Sequence, residues 1–262
     1  MSENNDWVRS NIKAELFVNE FGQQEGLKVH TETDPAVQKA VHRVQPAEQV
    51  FALVQAARER GFDSINVDLI YGLPQQTPES FERTLKQVTE LRPDRIALYS
   101  FAYVPWLKKH QNKIDTQALP SNDVKLDIFL QARSQFLDSG YQAIAMDHFA
   151  LQGDELAVAF NRGVLYRNFM GYTVKPADEY IGLGLTSISF LENTYVHNHK
   201  VLPEYYRILH ENKLPVERGK VLSKDDQIRQ WTINALMCQF QINKQAFKEM
   251  FQTEFDGYFS QE

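Results

Sequence analysis

The chain has 262 residues, of which 43% are hydrophobic, a formal net charge of -6 and one cysteine, Cys238. These values exclude a disordered chain, give no bulk attraction for nucleic acid or an anionic membrane, and exclude an intrachain disulfide or a cysteine-built zinc or iron-sulfur site within one subunit. We expect a folded cytoplasmic protein, because the stretch MSENNDWVRSNIKAEL lacks the apolar core of a signal peptide and no apolar run is long enough to span a bilayer.

Regular structure is predicted from Pro46 onward. Apolar residues at helical spacing predict a helix over 46–60. The stretch SINVDLIY, 64–71, is typical of a strand buried on both faces. Thr77-Pro78-Glu79 then offers an N-cap, a proline at the first helical position and an early acid, which predicts a helix that ends before Pro93.

The alternation of helices and strands continues. Residues 95–101 are predicted as a second strand, Ser121 as the cap of a helix to about Asp138, and residues 142–146 as a third strand. The predicted fold is therefore an α/β, partial (β/α) barrel whose three strands lie parallel with helices on one side. The first 45 residues show no comparable strand.

Beyond Ala150 the alternation ends. Residues 153–172 carry scattered aromatic residues and glycines, residues 180–190 suggest a glycine-interrupted strand or turn, and together they are predicted to cover the barrel mouth. The stretch from Pro203 to Glu262 is helical by pattern, with a capping box that begins a helix at Ser223. We expect a small C-terminal helical domain.

Candidate functional residues follow the predicted strand ends. The loops that begin at Gly72, Ala102 and Asp147 should open onto one face. Asp68 is an acid in an apolar strand, so it requires either a ligand or a salt bridge to a neighbouring helix, and its spacing does not separate the two. His148 could exchange a proton, orient a propionate or serve only the structure.

Three weaker patterns admit simpler explanations. His197 and His199 alternate like a metal pair on a strand, but two ligands alone are a weak signal. Gly182 and Gly184 lack the third glycine of a dinucleotide-binding loop, and tight backbone packing explains them. A set of aromatic residues could line a macrocycle pocket or simply pack in the core. They are Tyr99, Phe101, Tyr103 and Trp106.

Four stretches resemble the oxygen-independent coproporphyrinogen III oxidases, which are radical S-adenosylmethionine enzymes. They are DLIYGLPQQTPESFERTL (68–85), GYQAIAMDHFALQGDELAVA (140–159), VLYRNFMGYT (164–173) and IGLGLTSIS (181–189). The resemblance covers about Asp34 to Phe240, and the wording MDHF at 146–149 favours the oxidases over the related haem chaperone-like branch.

The resemblance implies oxidative decarboxylation of coproporphyrinogen III to protoporphyrinogen IX in haem synthesis. In this family a [4Fe-4S] cluster on a CxxxCxxC loop reduces one S-adenosylmethionine to release a 5′-deoxyadenosyl radical, and a second S-adenosylmethionine lies beside it. Arg43, Asp68 and Ala102 match contacts to the second molecule, and Ile188 matches a contact to the first. A guanidinium suits the methionine carboxylate, and a carboxylate suits its ammonium.

This sequence departs from the family in its first part. The cluster loop, a glycine-rich loop and a glutamate strand have no counterpart, and LKVHTETDP stands where the family has a strand ending in a glutamine contact. We therefore expect no cluster in this chain, and three strands would leave an apolar barrel edge exposed. A truncated gene product is expected, which would self-associate through that edge or pair with a chain carrying the missing half.

The predicted organisation has three parts: an unmatched segment over 1–33, the later barrel with its mouth-covering segment over 34–190, and an incomplete helical domain over 191–262. Two functions stay open. The first is an oxidase family member that is inactive alone or split between chains, and the second is a non-catalytic module that binds tetrapyrrole or S-adenosylmethionine. Neither nucleic acid nor a membrane is an expected partner.

Overall fold

The computed structural model describes residues 14–18, 24–62, 64–169, 171–174 and 177–261. The chain divides into two compact units, Met1–Val158 and Ala159–Glu262. Within the described ranges, no helix has the length and apolar character needed to cross a membrane.

A six-stranded sheet organises the first unit. Its strands are β1 (Ala14–Val18), β2 (Gln24–Thr31), β3 (Ser64–Tyr71), β4 (Arg95–Ser100), β5 (Tyr141–Ile144) and β6 (His148–Leu151). They lie in the order β1-β2-β3-β4-β6-β5. Strands β2, β3 and β4 run parallel, so their carboxyl ends meet at one edge, and the other pairs are antiparallel.

Helices follow the strands β2, β3, β4 and β6. They are α1 (Pro35–Ala40) and α2 (Ala47–Glu59) after β2, α3 (Pro78–Leu91) after β3, α4 (Asn122–Asp138) after β4, and α5 (Glu155–Asn161) after β6. The Thr77 side chain accepts a hydrogen bond from the Ser80 N–H and completes a capping box at the start of α3. Ser121 caps α4 in the same way through the Val124 N–H, so both predicted helix starts are confirmed.

The main core of the first unit lies between β3, β4, β6 and the helices α3 and α4. The rings of Phe136 and Phe149 pack with centroids 4.9 Å apart. The other fully buried side chains of this cluster come from both layers. They include Val67, Leu69, Phe81, Leu85, Ile96, Leu98 and Ile128. A second cluster joins Val29 of β2 to Val50 and Val54 of α2.

Two strand predictions were wrong. The first 45 residues do contain strands, because β2 pairs in parallel register with β3 and β1 pairs with β2. Strand β6 also lies between β4 and β5, antiparallel to both, so the third predicted strand does not adjoin the second. Ala145 makes the β5–β6 turn with φ 48°, without the glycine or asparagine that signals a tight hairpin. The edge of β3, which the three-strand prediction left exposed, is therefore paired with β2, whereas β5 lies at the end of the sheet.

Among its described residues, the second unit contains two small sheets and four helices that begin after residue 200. The strands β7 (Tyr166–Asn168) and β8 (Gly171–Thr173) form a hairpin, and β9 (Ile188–Leu191), β10 (Thr194–Asn198) and β11 (Val216–Val221) form an antiparallel sheet. The helices are α6 (Leu202–His210), α7 (Lys224–Gln239), α8 (Lys244–Phe251) and α9 (Phe255–Tyr258). Ser223 and Asp226 form the predicted capping box of α7. The pattern missed β11, whose VERGKV sequence is exposed and mostly polar.

Candidate functional site

A cavity of about 190 Å³ lies at the carboxyl ends of β2 and β3. Its wall combines charged, polar and apolar side chains from the strand ends and the loops that follow them. The lining residues are His30, Thr31, Glu32, Gln38, Val41, Arg43, Gln45, Asp68, Ile70, Leu73, Phe101, His110, Gln111 and Ile114. In a parallel (β/α) arrangement this is the edge at which ligand-binding residues collect.

Asp68 is the most deeply placed acid of this cavity, with 1% of its surface exposed. Its Oδ1 accepts a 2.7 Å hydrogen bond from the Asn66 side chain, and its Oδ2 lies 3.1 Å from His30 Nδ1. His30 stands directly opposite Asp68 in the parallel register of β2 and β3. These contacts of Asp68 come from the strands β2 and β3, and not from the neighbouring helix that was one of its two predicted alternatives, the other being a ligand.

Glu32 is a second acid of the cavity, immediately after β2. Its Oε1 accepts hydrogen bonds from the Asp34 N–H and the Thr84 hydroxyl, both at 2.9 Å, and its Oε2 accepts one from Gln76 at 2.7 Å. Burial raises the pKa of the Glu32 carboxyl above its ordinary value, against these hydrogen bonds, which lower it. The carboxyl is thus held in place by neutral donors alone.

Gln76 ties the loop after β3 to this acid. Its side-chain oxygen accepts hydrogen bonds from the Gly72 N–H at 2.6 Å and the Leu73 N–H at 3.2 Å, while its amide nitrogen donates to Glu32 and to the Ile70 carbonyl. Gly72 has φ 84°, a left-handed conformation that glycine adopts without steric cost. One buried amide therefore fixes the strand end and the loop that borders the cavity.

Arg43 lies at the rim, on the loop between α1 and α2. Gln38 holds this loop, because its side-chain oxygen accepts from the Gln45 N–H at 2.9 Å and its amide nitrogen donates to the Gln45 carbonyl at 2.6 Å. Partial desolvation lowers the pKa of the Arg43 guanidinium. In the part of the chain that the structure describes, Arg43 has no carboxylate within ion-pair distance; its Nη2 donates to Gln45 Oε1 at 3.4 Å.

Two buried polar atoms at the cavity lack a hydrogen-bond partner among the described residues. They are the Thr31 hydroxyl oxygen and the Gln45 amide nitrogen, and both side chains line the cavity. An unmet buried donor or acceptor costs about 1–3 kcal/mol, so a polar ligand in the cavity would recover that energy. This pair is the local observation that favours a polar occupant.

The four residues matched by resemblance fall in different places. Arg43 and Asp68 line the cavity together. Ala102 is exposed and follows the cavity-lining Phe101, and its carbonyl accepts a 3.1 Å hydrogen bond from Gln111. Ile188 belongs to the second unit, in β9 opposite His197 of β10.

Sequence reasoning missed His30, Thr31, Glu32 and Gln76. The first three end or follow β2, a strand that the pattern did not reveal, so the rule that places functional residues at strand ends could not be applied to them. Gln76 carried no signal beyond its position in the loop after β3. Recognition of β2 would have identified the three residues at its end.

The remaining candidates have local explanations. His148 Nδ1 lies 2.7 Å from Asp147 Oδ1, and its ring meets Tyr99 edge-on at 6.0 Å. A β-bulge between His197 and Asn198 breaks the regular strand alternation of the histidine pair. A Cβ atom at Gly182 would lie 2.6 Å from the Ile188 carbonyl oxygen, which confirms tight backbone packing there.

A second cavity, of about 510 Å³, lies at the opposite edge of the sheet. Arg95 Nε lies 2.8 Å from Asp154 Oδ1 and its Nη2 lies 2.7 Å from Glu155 Oε1. Asp94 accepts a 2.8 Å hydrogen bond from the Ile65 N–H. The charged side chains around this cavity form ion pairs and hydrogen bonds with one another or with the backbone. This end of the sheet therefore contributes to the stability of the fold.

Cys238 lies in α7 of the second unit and is 1% exposed. Its Sγ donates to Asn234 Oδ1 at 3.0 Å, and burial raises the pKa of the thiol to about 11. A [4Fe-4S] cluster needs several thiolate ligands, and this chain offers one buried thiol. The residues present therefore do not fit a cluster.

Comparison with a solved structure identifies the class of fold. The coproporphyrinogen III oxidase from Escherichia coli, described as a radical SAM enzyme, matches with a TM-score of 0.87 and 43% identity, over 90% of this chain and 55% of that one. The described structure is thus part of a radical-SAM-type (β/α) fold. No family model matches the sequence.

Curated relatives identify the family. An oxygen-independent coproporphyrinogen III oxidase from Thermostichus vulcanus is 44% identical over 230 residues, which are 87% of this chain and 71% of the relative. One from Synechocystis sp. is 46% identical over 230 residues, 86% of this chain and 49% of the relative. The chain belongs to the oxygen-independent coproporphyrinogen III oxidase family. It spans about half the length of the Synechocystis relative and of the Escherichia coli enzyme.

Proposed function

We propose that this chain carries the later part of an oxygen-independent coproporphyrinogen III oxidase and serves the oxidative decarboxylation of coproporphyrinogen III to protoporphyrinogen IX. The observation that supports the proposal most is the 44% identity over 71% of the Thermostichus vulcanus relative. The proposed contribution of the chain is a binding site for S-adenosylmethionine at the cavity of Arg43 and Asp68.

The cavity residues suit the methionine end of S-adenosylmethionine. The Arg43 guanidinium, which has no carboxylate partner among the described residues, would receive the methionine carboxylate. Asp68, with Glu32 nearby on the same cavity wall, would receive the ammonium group. The Thr31 hydroxyl and the Gln45 amide offer further polar contacts. Ala102 is proposed to flank the adenosine of this molecule, and Ile188 to contact a second S-adenosylmethionine.

S-Adenosylmethionine supplies radical chemistry only when a reduced iron-sulfur cluster delivers an electron to it. This chain has one cysteine, whose thiol is buried and has a raised pKa. The proposal therefore assigns no cluster chemistry to the residues of this chain; the cluster would be supplied by a segment that carries a CxxxCxxC loop. Its own residues would bind, orient and exclude water around the ligand.

A second candidate function is a non-catalytic module that binds S-adenosylmethionine or a tetrapyrrole. The combination of a polar cavity with the absence of cluster cysteines favours it. The two functions differ in one measurable respect: a split oxidase gains activity when the cluster-bearing half is added, and a binding module does not.

Calorimetric titration of the purified chain with S-adenosylmethionine tests the shared part of both functions. We expect binding, and a loss of about tenfold or more in affinity for Arg43→Ala and for Asp68→Asn, since each removes a charged contact. Arg133→Ala and Asp127→Asn, at exposed positions of α4, are matched controls that should leave affinity unchanged. Absence of binding, or equal losses in the controls, would contradict the assignment of the cavity.

Anaerobic reconstitution with iron and sulfide tests the absence of a cluster. We expect no absorption band near about 400 nm, where thiolate-bound clusters absorb. A stoichiometric [4Fe-4S] signal from this chain alone would overturn the conclusion that its residues do not fit a cluster.

A further inference from the structure

The loop after β4 presents large apolar side chains to solvent. Trp106 is 74% exposed and Leu107 is 72% exposed. We define residues 103–114 as the rim segment. An exposed indole beside an exposed leucine forgoes the free energy of burying their apolar surface, so this pair is the feature of the rim segment that needs an explanation.

The rim segment is held in one conformation by a buried amide. Gln111 Oε1 accepts a 2.6 Å hydrogen bond from the Val104 N–H, and its Nε2 donates to the Ala102 carbonyl at 3.1 Å. The Leu107 and Lys108 N–H groups both donate to the Val104 carbonyl at 2.9 Å. A surface that is fixed before binding loses less entropy when a ligand arrives.

The same segment forms one wall of the candidate site. His110, Gln111 and Ile114 line the cavity that Arg43 and Asp68 share, together with Phe101. Trp106 and Leu107 lie four and three positions before His110 in the chain. A ligand on the exposed face of the rim segment would therefore lie beside the cavity.

The rim segment is basic in a chain whose formal net charge is -6. Lys108, Lys109 and His110 follow the apolar pair, and Lys113 ends the short 3₁₀ helix Lys109–Lys113. Over the ranges that the structure describes, none of the three lysines lies in an ion pair, whereas Lys86 and Lys213 elsewhere do. Uncompensated cations next to a flat apolar ring suit a ligand that is itself flat, apolar and edged with carboxylates.

We infer that the rim segment is the docking surface for the tetrapyrrole, with the Trp106 indole against the macrocycle and Lys108 and Lys109 paired with propionate carboxylates. This inference rests on the proposed function, because the tetrapyrrole is the substrate class in the names of the relatives. It adds the surface and the residues that recognise the substrate, which the S-adenosylmethionine cavity does not supply.

An anionic lipid surface would also attract an indole and lysines. Membrane-binding segments of that kind present a long amphipathic helix, and the rim segment has only the five-residue 3₁₀ helix Lys109–Lys113. The rim segment also contributes His110, Gln111 and Ile114 to the wall of a cavity, which binding to a lipid surface does not require. The tetrapyrrole therefore accounts for more of the observed arrangement.

Fluorescence anisotropy of coproporphyrin III, the stable oxidised form of the family substrate, tests the inference in titrations with the whole chain. We expect Trp106→Ala and the double variant Lys108→Ser/Lys109→Ser each to weaken binding about tenfold or more, and Trp106→Phe to retain most of it, since an aromatic ring is kept. The control Lys86→Ser/Arg133→Ser removes the same number of charges from α3 and α4 and should change affinity less than about twofold.

Two further measurements separate the possible failures. Titration of the same variants with S-adenosylmethionine should give the wild-type affinity, because Trp106 does not line the cavity. If the wild type does not bind S-adenosylmethionine, the proposed function is contradicted, while the porphyrin titrations still test the docking surface by themselves. Unchanged porphyrin affinity in Trp106→Ala, at an unchanged unfolding temperature, would overturn the docking surface. Loss of binding to phosphatidylglycerol vesicles in the rim variants, with porphyrin affinity intact, would overturn it in favour of a lipid surface.

Discussion

His30 Nδ1 lies 3.1 Å from Asp68 Oδ2, and the two residues stand opposite each other where parallel strands β2 and β3 approach the cavity. Asn66 donates a 2.7 Å hydrogen bond to the other carboxylate oxygen, Asp68 Oδ1. Side chains of β2 and β3 therefore contact both oxygens of Asp68 and hold the carboxylate in one orientation at the cavity wall. The orientation of the proposed ammonium site thus depends on His30 as well as on Asp68.

Replacement of His30 by alanine should weaken S-adenosylmethionine binding about fivefold, because the side chain that lies 3.1 Å from Asp68 Oδ2 no longer holds the carboxylate in position. His110→Ala removes the other imidazole of the cavity wall and is the matched control. Calorimetry measures the affinity of both variants, and an unchanged affinity in His30→Ala would contradict the prediction.

Glu32 should make the fold less stable as pH rises. Burial raises the pKa of its carboxyl above 4.5, so the folded state holds this proton more tightly than the unfolded chain does. The stabilising contribution is present below the unfolded pKa and is lost as pH rises through the folded pKa. The unfolding free energy of the wild type minus that of Glu32→Gln should therefore decrease from about pH 4.5 upward. Urea unfolding at a series of pH values measures this difference, and an increase would refute the sign.

Gln76 should contribute more to the free energy of unfolding than an exposed glutamine does. Gln76→Ala leaves the Gly72 and Leu73 N–H groups and one Glu32 oxygen without their buried partner, which predicts a loss of about 1–3 kcal/mol of unfolding free energy. Gln55→Ala removes an exposed hydrogen bond to Glu59 on α2 and should cost less than about 0.5 kcal/mol. Equal losses in urea unfolding would show that the Gln76 network contributes little.

The sequence was sufficient to predict a helix where a capping residue precedes apolar residues at helical spacing. Thr77, Pro78 and Ser121 mark helix starts through hydrogen bonds within a few residues, and the structure has both helices where they were predicted. The Ile, Val and Leu content of residues 64–71 likewise identified β3, because that strand is buried on both faces.

Tertiary pairing decided the elements that were missed. Strand β2 ends in His30 and Thr31, polar residues that a single sequence reads as loop, and it is stabilised by its ladder with β3 and by Val29 packing against α2. Strand β6 follows a turn in which Ala145 has a left-handed backbone conformation, and the sequence has no glycine or asparagine there to predict that turn. The cavity residues could be predicted only where their strand was predicted. Asp68 was identified because β3 was recognised, whereas its neighbour His30 belongs to β2, which was not.

Cys238 should react slowly with thiol reagents in the folded chain. Its side chain is buried in α7, its Sγ donates to Asn234, and burial raises the pKa of the thiol to about 11. At pH 7.5 only about one molecule in three thousand would therefore carry the reactive thiolate, even with free access. We expect iodoacetamide labelling, followed by mass spectrometry, to be at least about a hundredfold slower in the native chain than in the chain unfolded in urea, where the pKa returns to about 8.5. The cysteine-free Cys238→Ala variant controls for labelling at other residues. Rapid native labelling would contradict the prediction, because it would show that the thiol is accessible to the reagent and therefore also to iron.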